Sequence, residues 1–305
     1  RHMVANDVNP LSLIFTRPRI APPTLQQVKE RLQDIPYIPR QNADIDLSMF
    51  FEKNTLSEIV SLRNYLMERL HTGREDNTDR WIRMVATNRL TGHSKGFFSV
   101  YSLPPNQAMS QERQIKVNKA RGQKPDYRDT KKLMFTKSRI LLRDTLPGTG
   151  AGIRDKYLNC DAGATRAIKS GSVSLTVTSP PFLDIVQYAI DNWMRCWFND
   201  IDMAPIERNI TMSRTVEDWA EKMRGVFKQL YRVTKPGGVV AFEVGEVRHG
   251  KIKLDETVVP LGISAGFDCE AILIHQQEFA KTANIWGIDN NSRGTNTNRI
   301  VIFRK

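Results

Sequence analysis

Five consecutive residues, Thr178-Ser179-Pro180-Pro181-Phe182, have the types and order to do chemistry. Two adjacent prolines remove two backbone donors and hold the chain extended, so their carbonyls can point outward, rigid and unpaired. A serine hydroxyl precedes them and an aromatic ring follows. A planar ring bearing an exocyclic amine fits such a corner: the oxygens accept the amine hydrogens and Phe182 stacks on the ring face.

Two carboxylates add to this. Asp7 and Asp161 each follow a short strand-like segment, Met3-Val4-Ala5 and Lys156 to Cys160. In an open α/β sheet ligands sit at the carboxyl ends of strands. An acid there can accept both hydroxyls of a ribose, and a second acid one strand over can accept from an adenine amine. Either Asp taken singly also reads as a helix cap. No Cys lies in a Pro-Cys setting, no His–Asp–Ser arrangement is evident, and the three cysteines (Cys160, Cys196, Cys269) lack CxxC spacing. That pattern argues against a disulfide scaffold or a metal site and for a reducing cytosol.

The elements that must position these groups fall into two rhythms. Asn6-Asp7 leads to a helix starting at Pro10, with Pro18, Pro22 and Pro23 closing that unit. From 24 to 149 the pattern is mostly helical: Thr24 caps one helix, Thr55-x-x-Glu58 reads as a capping box for a second, and Trp81 to Val85 mark a third. Phe97 to Tyr101 reads as a strand, Pro104-Pro105-Asn106 as a turn, and Gly148 to Gly152 as a plain loop. Beyond residue 150 strands and helices alternate. Val173 to Val177 and Val239 to Val244 read as buried strands, Thr215 to Val233 as an amphipathic helix, and Phe267 to Ile274 and Arg299 to Phe303 as an antiparallel final pair. The polar loop 290–298 joins that pair. The alternation predicts a parallel, doubly wound α/β sheet, with 1–23 and 150–305 as the core and 24–149 as a helical insertion.

Net charge is +12, from 45 Lys+Arg against 33 Asp+Glu, which points to a polyanionic partner. Eleven of those cations lie between Gln111 and Arg143 against three acids. Arg121, Lys124, Arg128, Lys131 and Lys132, interleaved with Tyr127 and Phe135, suit a groove that tracks phosphates. No apolar run approaches the ~20 residues of a membrane span.

The Ser-Pro-Pro-Phe segment resembles the catalytic motif of amino-group DNA methyltransferases, in the form associated with N4-cytosine enzymes; adenine-N6 enzymes more often begin it with Asp or Asn. Gln229 to Gly238 (QLYRVTKPGG), leading into Val239 to Val244, is similar to the matching stretch of Rossmann-like S-adenosylmethionine methyltransferases. Asn6-Asp7-Val8-Asn9-Pro10 is similar to the acidic motif that follows their glycine-rich loop. The resemblance covers about 1–20 and 153–305. It implies that Asp7, with Asn9 and Pro10, holds the cofactor ribose, that Asp161 and Ala162 meet its adenine, that Thr178 borders it, and that Ser179, Pro180, Pro181 and Phe182 hold the target base. It implies double-stranded DNA as substrate, read by the 24–149 insertion, and a cytoplasmic, nucleoid-associated restriction–modification setting. The family's aromatic-x-Gly-x-Gly loop and first strand should come just before Asn6. The expectation is therefore a fragment, or half of a split enzyme whose loop sits on an N-terminal piece or second subunit, with weak cofactor affinity on its own. An adenine-N6 or RNA amino-group enzyme and a non-catalytic DNA-binding fragment stay open as alternatives.

Overall fold

The structure, a computed structural model, describes residues 2–103, 108–144, 155–181, 188–205, 213, 215–247, 252–276 and 297–305. The turn at 104–106, the loop at 148–152, Phe182 and most of the 290–298 loop lie outside them. No helix among the described residues is long and apolar enough to cross a membrane. The chain divides into two compact units, 1–159 with 188–207 and 160–187 with 208–305.

In the first unit β1 (Val4–Asn6) pairs in parallel with β2 (Lys156–Leu158). Helices α1 (Pro10–Ile20), α2 (Leu25–Asp34), α3 (Lys53–His71), α4 (Asn77–Thr87), α5 (Gln111–Arg121), α6 (Thr130–Leu141) and α7 (Tyr188–Phe198) complete it. Residues 1–23, which the sequence pattern assigned to the other half, belong here because α1 lies along α4 and Phe15 packs on the helical core. That core gathers Phe50, Phe51, Leu62, Trp81, Met84 and Phe98, with Met194 and Phe198 of α7. Pro18 does not end α1, which runs two residues further with Pro18 buried.

The sequence pattern misplaced two local features. Helix α3 begins at Lys53, capped by Glu52, so Thr55 and Glu58 are not its capping box. They hold the start of α6 instead: the Thr55 hydroxyl accepts from the Arg128 amide (2.7 Å), and Glu58 accepts from the Thr130 amide and hydroxyl (2.8 Å each). The Tyr127 hydroxyl also donates to Glu58, which pushes the phenol well above its ordinary value. Residues 97–101 form no strand. Their backbone bonds go to separate segments, Phe98 to Arg89 and Val100 to Phe50, and Tyr101 makes only an isolated bridge to Gly92.

The second unit is built on a mixed sheet in the order β3-β4-β7-β6. Strands β3 (Val173–Thr178) and β4 (Thr234–Val247) are parallel, and β7 (Thr297–Arg304) runs antiparallel to both β4 and β6 (Asp268–Gln276). The short β5 (Ile252–Lys253) pairs with β4. The antiparallel final pair is as the sequence predicts, and the α/β class holds, although the described strands form two sheets. Helices α8 (Val216–Val233) and α9 (Leu254–Ser264) cover the sheet. Trp219, Met223 and Phe227 of α8 bury against Val240, Phe242 and Val244 of β4, with Phe227 4.8 Å from Phe242 and 5.4 Å from Phe303, centroid to centroid. β3, by contrast, is not buried: Leu175 is 59% and Val177 74% exposed. It pairs only with β4 among the described residues, and two of its three apolar side chains lie on an exposed face.

One ionic cluster lies inside this unit. Arg299 of β7 grips Glu246 at 2.8 Å and Asp255, in the first turn of α9, at 3.1 Å, with all three side chains mostly covered. Replacing one partner of a buried cluster strands the others without compensation. Arg299→Ala is therefore expected to lower unfolding free energy by ~3 kcal/mol in urea titration. Arg304→Ala, which breaks an exposed pair with Glu270, should barely move the midpoint.

In the first unit, burial pushes the Cys196 thiol up from 9.0 to about 11. A folded-state pKa above the unfolded one gives stability present below about pH 9 and lost as pH rises through about 11. Cys196→Ala should flatten that alkaline decline in thermal-shift measurements, and Cys196 should resist alkylation in the native protein at mildly alkaline pH.

Candidate functional site

The corner at the end of β3 is set by the strand before it and the helix behind it. Thr178 pairs with Phe242 in the parallel ladder, which fixes where Ser179 leaves the sheet. The β3–β4 register shifts between Val173 and Leu175, opposite Lys235-Pro236-Gly237-Gly238. That turn is absorbed as a bulge at the start of β4. Gly238 is needed there: a Cβ would lie 2.7 Å from the Thr234 methyl and 3.1 Å from the Val173 carbonyl oxygen.

Ser179 is exposed, and Pro180 and Pro181 are half-buried. The two proline carbonyls have different fates. Pro181's accepts a 2.9 Å hydrogen bond from the indole N–H of Trp219, itself fully buried in α8. Pro180's accepts none among the described residues. The corner is thus anchored to the core through one oxygen, leaving the other and the Ser179 hydroxyl as acceptors at the surface. Trp219 is the residue the sequence reading overlooked. Its place on the apolar face of the 215–233 helix marked it as core, and nothing in the pattern showed its N–H reaching back to the corner.

The two carboxylates sit in different units. Asp7 follows β1, where one oxygen accepts from the Asn9 amide at 2.9 Å and the other from the Ser12 hydroxyl at 2.5 Å. Asn9 caps α1 through the Leu11 amide, and Pro10 opens the helix. Asp7 also serves as a strand-end junction: Asn159, just past β2, donates its side-chain amide to the Asp7 carbonyl at 2.6 Å. Asp161 is exposed and caps the single 3-10 turn Ala162–Ala164, with one oxygen accepting from the Gly163 amide at 2.7 Å. That turn packs on α8. Arg232 secures the segment beyond it by donating to the Thr165 carbonyl (2.7 Å) and the Ile168 carbonyl (2.8 Å). Asp161 therefore does the capping work that a lone Asp suggests, whereas Asp7 braces the turn ahead of α1, whose cap is Asn9. Each still has acceptor capacity: Asp7 has one local donor per oxygen, and the second Asp161 oxygen has none among the described residues. Taken separately, each carboxylate can accept further hydroxyl or amine hydrogens, groups that S-adenosylmethionine presents.

The five cations singled out for phosphates separate. The Arg121 guanidinium stacks 3.8 Å over the Tyr101 ring. Arg128 pairs with Asp126 at 2.6 Å and is only 12% exposed, and the Lys131 ammonium donates to the Ile35 carbonyl at 2.6 Å. Lys124 and Lys132 are exposed. In α7, which follows the corner in sequence, Met194 and Phe198 join the first unit's core, and Trp193 donates to the Ala108 carbonyl.

No family model matches the chain, and no curated protein does. Among solved structures it is similar to a Thermus thermophilus protein assigned as a DNA modification methylase: 23% identity, 48% of this chain, 50% of that one, TM-score 0.29. The same protein complexed with S-adenosyl-L-methionine gives 22% identity, coverages of 48% and 53%, and TM-score 0.28. An S-adenosylmethionine-dependent methyltransferase from Methanosarcina mazei gives 10% identity, coverages of 55% and 75%, and TM-score 0.29. The chain spans about half the length of the Thermus methylase. Likenesses this partial leave the chemistry to be read from the chain's own residues.

Trp219→Phe keeps an aromatic ring but removes the donor and part of the buried indole. It is expected to cost about 2 kcal/mol in chemical denaturation, roughly one net hydrogen bond plus the cavity left behind. No loss of stability would mean the anchor to Pro181 is not made in solution.

Proposed function

We propose that this chain is the catalytic part of an S-adenosylmethionine-dependent methyltransferase that methylates the exocyclic N4 amine of cytosine in double-stranded DNA. The observation that carries the reading is the divided fate of the two proline carbonyls. Trp219 immobilises Pro181, while the Pro180 carbonyl and Ser179 remain as paired acceptors at the carboxyl end of a parallel strand.

S-adenosylmethionine, when bound, supplies a methyl group made electrophilic by a sulfonium sulfur. Asp7 is suited to its ribose hydroxyls and Asp161 to its adenine amine. A cytosine within a duplex cannot present its amine to the corner, so it must be flipped out, at roughly a few kcal/mol. The N4 lone pair is conjugated into the ring and nucleophilically weak. Ser179 and the Pro180 carbonyl, each accepting one amine hydrogen, favour a pyramidal nitrogen whose lone pair is directed away from the ring. Their contribution is positioning and preorganised electrostatics, with no covalent intermediate on the protein. Phe182, next in the chain, is assigned to stacking on the base. Serine rather than Asp or Asn at the head of the motif favours cytosine N4 over adenine N6, and the free cysteines accord with a cytoplasmic, nucleoid-associated setting.

The test is methyl transfer from labelled S-adenosylmethionine to defined duplexes, followed by identification of the modified nucleoside. The chain is assayed alone and with a polypeptide supplying an aromatic-x-Gly-x-Gly segment. N4-methylcytosine is the expected product; N6-methyladenine would move the assignment to the adenine enzymes. Ser179→Ala should lower kcat about 10²-fold with little change in duplex affinity, the loss typical of one preorganised polar group. An unaltered kcat would remove the corner from the chemistry.

A further inference from the structure

Helix α5 is held to its unit in an uncommon way. Short helices in proteins are generally stabilised by burying an apolar face, and an isolated 11-residue helix is marginal in water. Here Gln114 is the one buried residue. Apart from Val117, which packs on the helical core, the inward side is a set of amides: Gln114 donates to the Tyr101 carbonyl and to Asn118, Asn118 donates to the Met49 carbonyl, and Gln111 donates to the Asp46 carbonyl. Gln123, just past the helix, repeats the contacts to Tyr101 and Asn118. Ser110 caps the start, and Gly122 closes the end at a φ of 58°, a left-handed turn that favours glycine. Arg121, at the end of the helix, is exposed but has its guanidinium stacked on the Tyr101 ring.

At about 100° per residue the opposite side carries Arg113, Lys116 and Lys119. All three are exposed, and no ion pair joins them to an acid among the described residues. Glu112 is the helix's single acid. Beside the cations, Ile115 is 53% exposed. The stripe is about 9 Å long, a distance over which a duplex offers roughly five backbone charges. A polar-latched helix whose outer face is a row of unpaired cations, on a chain of net charge +12, complements a polyanion.

We propose that Arg113, Lys116 and Lys119 on the outer face of α5 dock the phosphate backbone of double-stranded DNA, independent of sequence. Arg121, Arg128 and Lys131 act within the fold to position the helices around them. The choice of DNA as the polyanion rests on the methyltransferase reading above.

The experiment measures binding of a short random-sequence duplex across a salt series, without cofactor, for the wild type and for the combined variant Arg113→Gln, Lys116→Gln, Lys119→Gln. The variant should keep its thermal midpoint, bind roughly tenfold or more weakly near ~0.1 M salt, and flatten the slope of log K against log salt by about 2–3, close to ~0.9 per phosphate contact. In a second variant, Arg121→Gln should lower the thermal midpoint while leaving the salt slope near wild type. An unchanged slope in the folded triple variant overturns the docking face, as does wild-type protein that ignores duplex but sediments with anionic phospholipid vesicles. A flattened slope without methyl transfer on any oligonucleotide would keep the docking face and sink the enzymatic reading. Methyl transfer with an unchanged slope would do the reverse.

Discussion

The hydrogen bond from Trp219 to the Pro181 carbonyl is the constraint on which the candidate site depends. A proline pair after a strand is stiff in itself, but stiffness does not say where the segment points. Trp219 is fully buried between α8 and the sheet, in the cluster that holds Phe227 and Phe242, so its indole N–H is as fixed as the core. By taking one of the two free carbonyls it determines the orientation of the other. The site therefore takes its precision from hydrophobic packing, passed on through a single polar contact.

The same economy recurs elsewhere. Glu58, from α3, satisfies the first amide of α6 and a tyrosine hydroxyl, and thereby joins two helices by polar contacts as well as through the core they share. Arg232, at the end of α8, ties down the segment after the 3-10 turn through two backbone carbonyls. In each case a long side chain closes a distance that backbone pairing does not reach, and loops near the acids are held without being buried.

The sequence showed much of this and missed parts for definite reasons. Strand–helix alternation after residue 150, the α1 start at Pro10 and the antiparallel final pair were legible because periodicity and proline placement act locally. The Thr55–Glu58 box was misread because a capping box and a long-range bracket have the same letters; Arg128 and Thr130, far along the chain, decide between them. The 97–101 segment has strand composition, but its amides are drawn to unrelated backbone. β3 was read as buried because its valines and leucine are apolar, and composition does not reveal whether a second layer covers them. Among the cations, the count and the neighbourhood were plain from composition, while stacking on Tyr101 and pairing with Asp126 decided which of them already have a partner within the fold.

The exposed side of β3 has a consequence for the corner it leads to. Among the described residues β3 is held along one margin only and can twist about that line, and the Trp219 bond limits how much of that motion reaches the tripeptide at its tip. Any chain that aligns along the other margin would damp this wobble and sharpen the grip of Ser179 on its guest. Assembly and catalytic fidelity would then rise together, and a preparation lacking that second margin would be prone to stick to itself along the open edge.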